Sequence, residues 1–171
     1  MKKFTLLFCL LFITSNLFGS WSTTSSKDEM TNEISAYAHS DYSTPTKAMK
    51  FPYSDVKSWI GVGCNKKRTW AYIGFTKSPN ILNTSTHDGY YEIETRIKFD
   101  KNVGSETLTQ DWGSEFLHFY YDDKIIEKIK NSNNMLLELQ WYGNGNKYFN
   151  YSLSGSTKAI NEALKKCGYK Y

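Results

Sequence analysis

Histidine, cysteine and proline are all scarce in this chain, with three of each in 171 residues, and no apolar run is long enough to be a membrane helix. Each scarcity excludes something. His39, His87 and His118 are scattered, with no His-x-x-x-His or Cys-x-x-Cys spacing to gather a metal, so no metal and no cofactor is expected. No serine or cysteine stands in a nucleophile-elbow setting, and His87-Asp88-Gly89, the one histidine beside a carboxylate, reads as a turn. Glu92 and Glu94 would share a strand face at roughly 7 Å, within the range of glycosidase carboxylates. Arg96 and Lys98 continue that face, however, and alternating charge of this kind marks a solvated surface. The expectation is a protein without catalytic machinery.

Charge of one sign is lacking too, with 21 basic against 17 acidic residues, so nucleic-acid binding has no electrostatic support. The longest apolar stretch, Phe4 to Ile13, follows Lys2 and Lys3, and small residues come at Gly19 and Ser20. That order is expected of a Sec-type signal peptide over residues 1–20, directing the chain to the periplasm or outside the cell, with the new terminus near Ser20 or Trp21. The stretch is too short for the roughly 20 residues that a membrane-crossing helix needs, so no stable membrane span is expected. Cys9 lies inside it, behind Phe8, where a lipoprotein signal carries a small residue. Loss of residues 1–20 leaves 19 basic residues against 17 acidic and two cysteines, Cys64 and Cys167. In an oxidising compartment two cysteines permit one pairing, the alternative being two buried thiols. The bond would close a loop of roughly 100 residues, for which chain entropy gives about 4.7 kcal/mol of stabilisation as an upper figure.

What is present is β pattern. Residues 21–171 are of a size for one domain, without internal repeats. An irregular arm at Ser22 to Lys27 is expected to lead into a first strand within Glu29 to Ser40, followed by a loop holding Pro45 and Pro52. Lys57 to Cys64 and Thr69 to Phe75 read as a hairpin covered on both faces, with Ile60, Val62 and Cys64 on one side and Trp59, Gly61 and Gly63 on the other. Ser78 to Gly89 reads as loop. Tyr90 to Phe99 alternates strictly, Tyr91, Ile93, Thr95, Ile97 and Phe99 facing inward. A loop containing Gly104 and an aromatic segment, Trp112 to Tyr121, precede a short helix capped by Asp122 or Asp123, with Ile125, Ile126 and Ile129 as its stripe. Met135 to Tyr142 and Lys147 to Leu153 flank Gly143-Asn144-Gly145-Asn146, a hairpin signal. Ser156 is then expected to cap a helix in which Ile160, Ala163, Leu164 and Cys167 share one face and Gly168 is the terminator. The sum is a mainly antiparallel β-sandwich with a middle helix and a C-terminal helix packed on the sheet.

Aromatic residues make up 16% of the chain, too many for one core to hide, and a contiguous patch including Trp59, Trp70, Tyr72 or Tyr142 would be a contact surface.

Several segments together resemble a family. They are Trp21 with Ser25 to Asp28, a strand ending in Cys64, Thr95-Arg96-Ile97-Lys98-Phe99-Asp100, Trp112 with Ser114, and Tyr151-Ser152-Leu153-Ser154-Gly155 followed by Ala159-Ile160, Leu164 and Cys167. The set resembles the periplasmic accessory proteins of type VI secretion called TagO or VasI. It departs from them in carrying Ser26-Lys27-Asp28-Glu29-Met30 for the family's Ser-Pro-Leu-Asp-Asp, and in two extra residues between Arg96 and Asp100. The resemblance implies a non-enzymatic envelope protein acting by contact with a protein of the envelope or of the secretion machinery. It also implies structural roles for Arg96, Asp100, Trp112, Ser114 and Gly155, with a partly buried Arg96–Asp100 contact bracing a strand end. The alternative reading is a ligand-binding module for peptidoglycan or for a lysozyme-like enzyme.

Overall fold

Alternation of apolar and polar side chains dominates the chain, and hydrogen bonding gathers the alternating segments into one sheet. The computed structural model describes residues 21–170, so the expected signal segment and Tyr171 lie outside the described residues. In chain order the elements are β1 (Trp21–Lys27), β2 (Ile34–Ser40), β3 (Ser58–Cys64), β4 (Thr69–Phe75), β5 (Thr84–Thr86), β6 (Tyr90–Phe99), β7 (Asn102–Asp111), β8 (Phe116–Phe119), α1 (Asp122–Asn131), β9 (Asn134–Trp141), β10 (Gly145–Ser152) and α2 (Ser156–Lys166). The ladders are antiparallel in the order β1-β2-β3-β4-β8-β7-β6-β9-β10, with β5 paired to β6.

The sheet curls until its two halves face each other, which makes the expected two-layer β architecture out of one continuous sheet. Phe75 of β4 meets Phe149 of β10 with ring centroids 5.5 Å apart and Trp141 of β9 at 5.7 Å. Ser58 and Tyr151 share a buried hydroxyl–hydroxyl bond of 2.6 Å across the same interior. Burial pushes the Tyr151 hydroxyl well above the ordinary phenol range, against the opposing pull of the Ser58 hydrogen bond. The connection after β2 spans the gap by single bridges, Ser43 to Ser58 and Pro45 to Phe149. The far edges approach where the Trp21 indole donates to the Ser152 carbonyl at 2.9 Å, yet no ladder joins β1 to β10, so the sheet is not closed.

Both helices pack on the half that β9 and β10 leave open. The apolar stripe of α2 lies on β1, β2 and β3, burying Ile160, Ala163 and Leu164 against a surface that includes Ala36, Ala38 and Val62. Small residues on β2 let the helix sit close. The α1 stripe of Ile125, Ile126 and Ile129 covers β4. Cys64 is bonded to Cys167 with their α-carbons 6.2 Å apart, so the end of α2 is tied to the end of β3. Gly168 at φ +90° completes a Schellman ending, its amide donating to Lys165 and that of Tyr169 to Leu164. Among the described residues no helix is long and apolar enough to cross a membrane.

Several local expectations are corrected. Residues 21–27 form a full edge strand rather than an irregular arm, because seven backbone partners on β2 and the Thr23 hydroxyl bond to Ala159 supply what its Ser/Thr-rich side chains do not signal. The segment around Gly104 is strand β7 rather than loop. Its first residues are exposed on both faces, so no alternation is visible, and the register with β6 is set by the Asp100-Lys101 turn, with Asp100 at φ +51°. Thr84–Thr86 is a short strand within the expected loop. Neither helix is capped as expected. Tyr121 precedes α1 without a side-chain cap, and the Asp122 carboxylate instead accepts the Ala71 amide at 2.8 Å. The left-handed Gly155 precedes α2, while Ser156, its first residue, donates to the Ile129 carbonyl and joins the two helices.

Candidate functional site

Outward-facing positions of β2, β3, β4 and β8 carry the densest aromatic chemistry of the molecule. Register places Gly61 opposite Tyr72, Gly63 opposite Trp70 and Gly74 opposite Trp59. A β-carbon built on any of these glycines would fall into the facing ring, so the three rings lie flat along the sheet, using space that only glycine leaves. Other rings stand upright against them. Tyr42 and Phe116 meet Trp59 at 87° and 88°, with centroids 5.5 and 6.0 Å away, and Tyr37 meets Trp70 at 74° and 5.8 Å. Edge-to-face geometry of this kind adds to the area each ring buries. Tyr72, flanked by Phe116 and His118, is nearly buried, and burial pushes its hydroxyl up to about 12.

Cations close both ends of this floor, with Lys57 5.8 Å from the Tyr42 ring centre and Arg68 5.2 Å from that of Trp70. Beyond Arg68 the surface dips into a cleft of about 580 Å³ walled by Tyr120, Tyr121 and Tyr169. Asp122 lines the cleft too, its carboxyl held above the ordinary range by burial against the opposing pull of the Ala71 amide. His118 stands on the same face as Tyr72, and its burial lowers its basicity although Asp111 and Asp122 act the other way.

The structure therefore brings Trp59, Trp70 and Tyr72 together, and leaves Tyr142 elsewhere, beside the β9–β10 turn. Tyr37, Tyr42, Phe116 and His118 join the face without having been singled out by the sequence. Tyr37 and His39 could have been found, since they stand two apart on β2 opposite Gly63 and Gly61.

The outer positions of β6, β9 and β10 are of a different kind. They line a polar cleft of about 300 Å³ that includes Glu94, Arg96, Glu138, Gln140 and Asn146. Glu138 is its hub. Arg96 donates to both carboxylate oxygens at 2.5 and 2.8 Å, and Asn146 and Tyr148 donate at 3.0 and 2.9 Å. Those donors, Arg96 first, hold the Glu138 carboxyl below the usual range. The expected Arg96–Asp100 contact is thus corrected. Arg96 is exposed and pairs with Glu138, while Asp100 turns away to accept the amides of Asn133 and Asn134, tying the β6–β7 turn to β9. Glu94 accepts from Thr107, and Glu92 lies 4.0 Å from His87.

The remaining residues implied by the resemblance are dispersed. Ser114 braces the β7–β8 turn by accepting the Phe116 amide on its hydroxyl and the Gln110 side chain on its carbonyl. Trp112 is exposed near Tyr91, and Gly155 supplies the left-handed residue before α2. Among the described residues no three histidine, cysteine, aspartate or glutamate side chains are grouped to hold a metal. Compared with protein-family models, with curated proteins and with solved structures, the chain matches none.

Proposed function

We propose that this chain is an exported, non-catalytic accessory protein of the bacterial envelope, similar in kind to the TagO/VasI proteins, which works by holding a partner protein on its outer aromatic face. The observation that carries the reading is that face itself. Rings are laid flat over Gly61, Gly63 and Gly74 on central strands, with Trp59 and Trp70 half-buried and the upright Tyr42 and Phe116 exposed beside them. Aromatic side chains give large contact area with few rotors, and the flanking Lys57 and Arg68 supply a polar rim, the usual composition of a binding hot spot. The terminal pattern from Tyr151 to Cys167, together with the signal-like residues 1–20, supports the envelope setting.

Tyr42 and Phe116 are the exposed upright rings, so Tyr42→Ser with Phe116→Ser tests the face at small cost to the core. In cross-linked envelope fractions the natural protein is expected to co-purify with components of a secretion or envelope machine, and the double variant to lose them. Equal recovery by both, or turnover of a cell-wall substrate with no component recovered, would reject the proposal. A second reading, binding of peptidoglycan, draws on the half-buried Trp59 and Trp70, because a pyranose stacks on the open part of a ring face. Sedimentation with purified sacculi distinguishes it.

A further inference from the structure

The connection between β2 and β3 presents the most exposed ring among the described residues on a fixed backbone. Phe51 is 89% exposed, at the tip of the connection between β2 and β3. That connection is pinned on every side. Met49 is buried, Lys50 donates its amide to the Asn144 side chain at 2.7 Å, and the buried Lys147 donates to the Ala48 carbonyl at 2.8 Å. Lys77 donates to the Pro52 carbonyl at 2.7 Å, and the Tyr53 amide returns to Lys50 at 2.9 Å. Asn144 also carries the neighbouring turn from which Tyr142, 62% exposed, projects.

The charge here has one sign. Residues 46–55 contain Lys47 and Lys50, both exposed, against Asp55 alone, and Asp55 is engaged by Lys77 at 2.5 Å. In a chain whose formal net charge is +4, unpaired lysines thus stand on the segment that carries the protruding Phe51 ring. A phenyl ring held in water has no intramolecular contact to gain, whereas a rigidly presented one binds an apolar medium with little loss of loop entropy. Aromatic rings settle at bilayer interfaces, and lysines beside them are drawn to anionic headgroups.

We propose that this connection and the neighbouring turn form an interfacial anchor for an anionic lipid surface, with Phe51 entering the acyl boundary, Tyr142 at headgroup level, and Lys47 and Lys50 against lipid phosphates.

The test is sedimentation of the purified protein with vesicles of phosphatidylcholine alone or mixed with phosphatidylglycerol, at low and high salt. Binding to the anionic vesicles only, weakened by salt, is the expected result. Phe51→Ser should lower the partition about tenfold, the loss of one inserted ring, and Lys47→Glu with Lys50→Glu should abolish it. Because these side chains stand in solvent, unchanged unfolding midpoints will show that the variants fold. Equal binding to neutral vesicles, no binding to either, or undiminished binding of the Phe51→Ser variant would each overturn the proposal, as would capture by an acidic protein without any vesicle binding.

Discussion

The two outer faces of one curled sheet have been built by opposite means. On β2, β3, β4 and β8, glycines clear the floor and aromatic rings fill it, so stability and any recognition come from area and shape. On β6, β9 and β10 the equivalent positions hold Glu94, Arg96, Glu138, Asn146 and Tyr148, which satisfy one another by directed hydrogen bonds around a single carboxylate. The backing differs as well. Behind the aromatic face lie α1 and α2, and the disulfide fixes α2 in place, whereas β9 and β10 are backed by the opposing half of the sheet. A face whose outer polar groups already pair with each other has little left to offer a ligand. Exposed rings with cations at their margins do not have that restriction, which is why the proposed contact surface is placed on the aromatic side.

The largest test of the contrast is to remove the brace behind one half only. Cys64→Ser with Cys167→Ser opens a link between residues 103 apart, and chain entropy alone predicts a loss of up to about 4.7 kcal/mol. Hydrogen exchange should then rise first in β1, β2 and α2, with β9 and β10 protected longest, while urea unfolding gives the total. Uniform loss of protection across both halves would mean that the halves are not distinguished by their backing.

The next test compares glycines. Gly61→Ala places a methyl group against Tyr72, a ring with 7% exposure and neighbours on several sides, and should cost about 1–3 kcal/mol as overpacking does. Gly104→Ala on β7 has no heavy atom within 4 Å of the new carbon and no positive φ, so thermal unfolding should shift little, by roughly 0.5 kcal/mol in either direction. Equal effects at the two sites would show that the rings are not seated on their glycines as described.

What could be read from the sequence follows the same division. Strands that bury one side, such as Tyr90 to Phe99 and Met135 to Tyr142, announce themselves by period two; of the inward set expected for the first, Ile93, Ile97 and Phe99 are buried, while Tyr91 and Thr95 are half-buried. The stripe of α2 and the Cys64–Cys167 bond were legible because helical spacing and a cysteine count are local or arithmetical facts. The edge strand β1 and the first half of β7 were not, since both are exposed on two faces and are held by partners distant in sequence. At the candidate site, Trp59, Gly61 and Gly63 were visibly on one face. Their assembly with Phe116, His118 and Tyr42 depends on the β4–β8 ladder and on the course of the connection after β2, neither of which periodicity encodes. Arg96 had to find Glu138 rather than Asp100, because the β6–β9 ladder sets a carboxylate 42 residues away beside it, whereas Asp100 was taken up by the turn.

The smallest effects are in pH, and they assign one acid transition to each face. Burial holds the imidazole of His118 below its ordinary 6.5, so the stability it confers is complete above that value and is lost as pH falls through its lowered pKa. Donors led by Arg96 hold Glu138 below its ordinary 4.5, so its contribution is complete above that value and fades only on further acidification through its own depressed pKa. Unfolding midpoints measured from neutral pH downward should fall in two separate stages. His118→Gln is expected to remove the upper stage and leave the lower one, and Glu138→Gln to do the reverse while lowering the midpoint at neutral pH slightly, since an ion pair whose Arg96 side is exposed to solvent is worth little. If either variant erased both stages, the two faces would be coupled through the sheet, and the separation drawn between them would fail at the level of electrostatics even where it holds in packing.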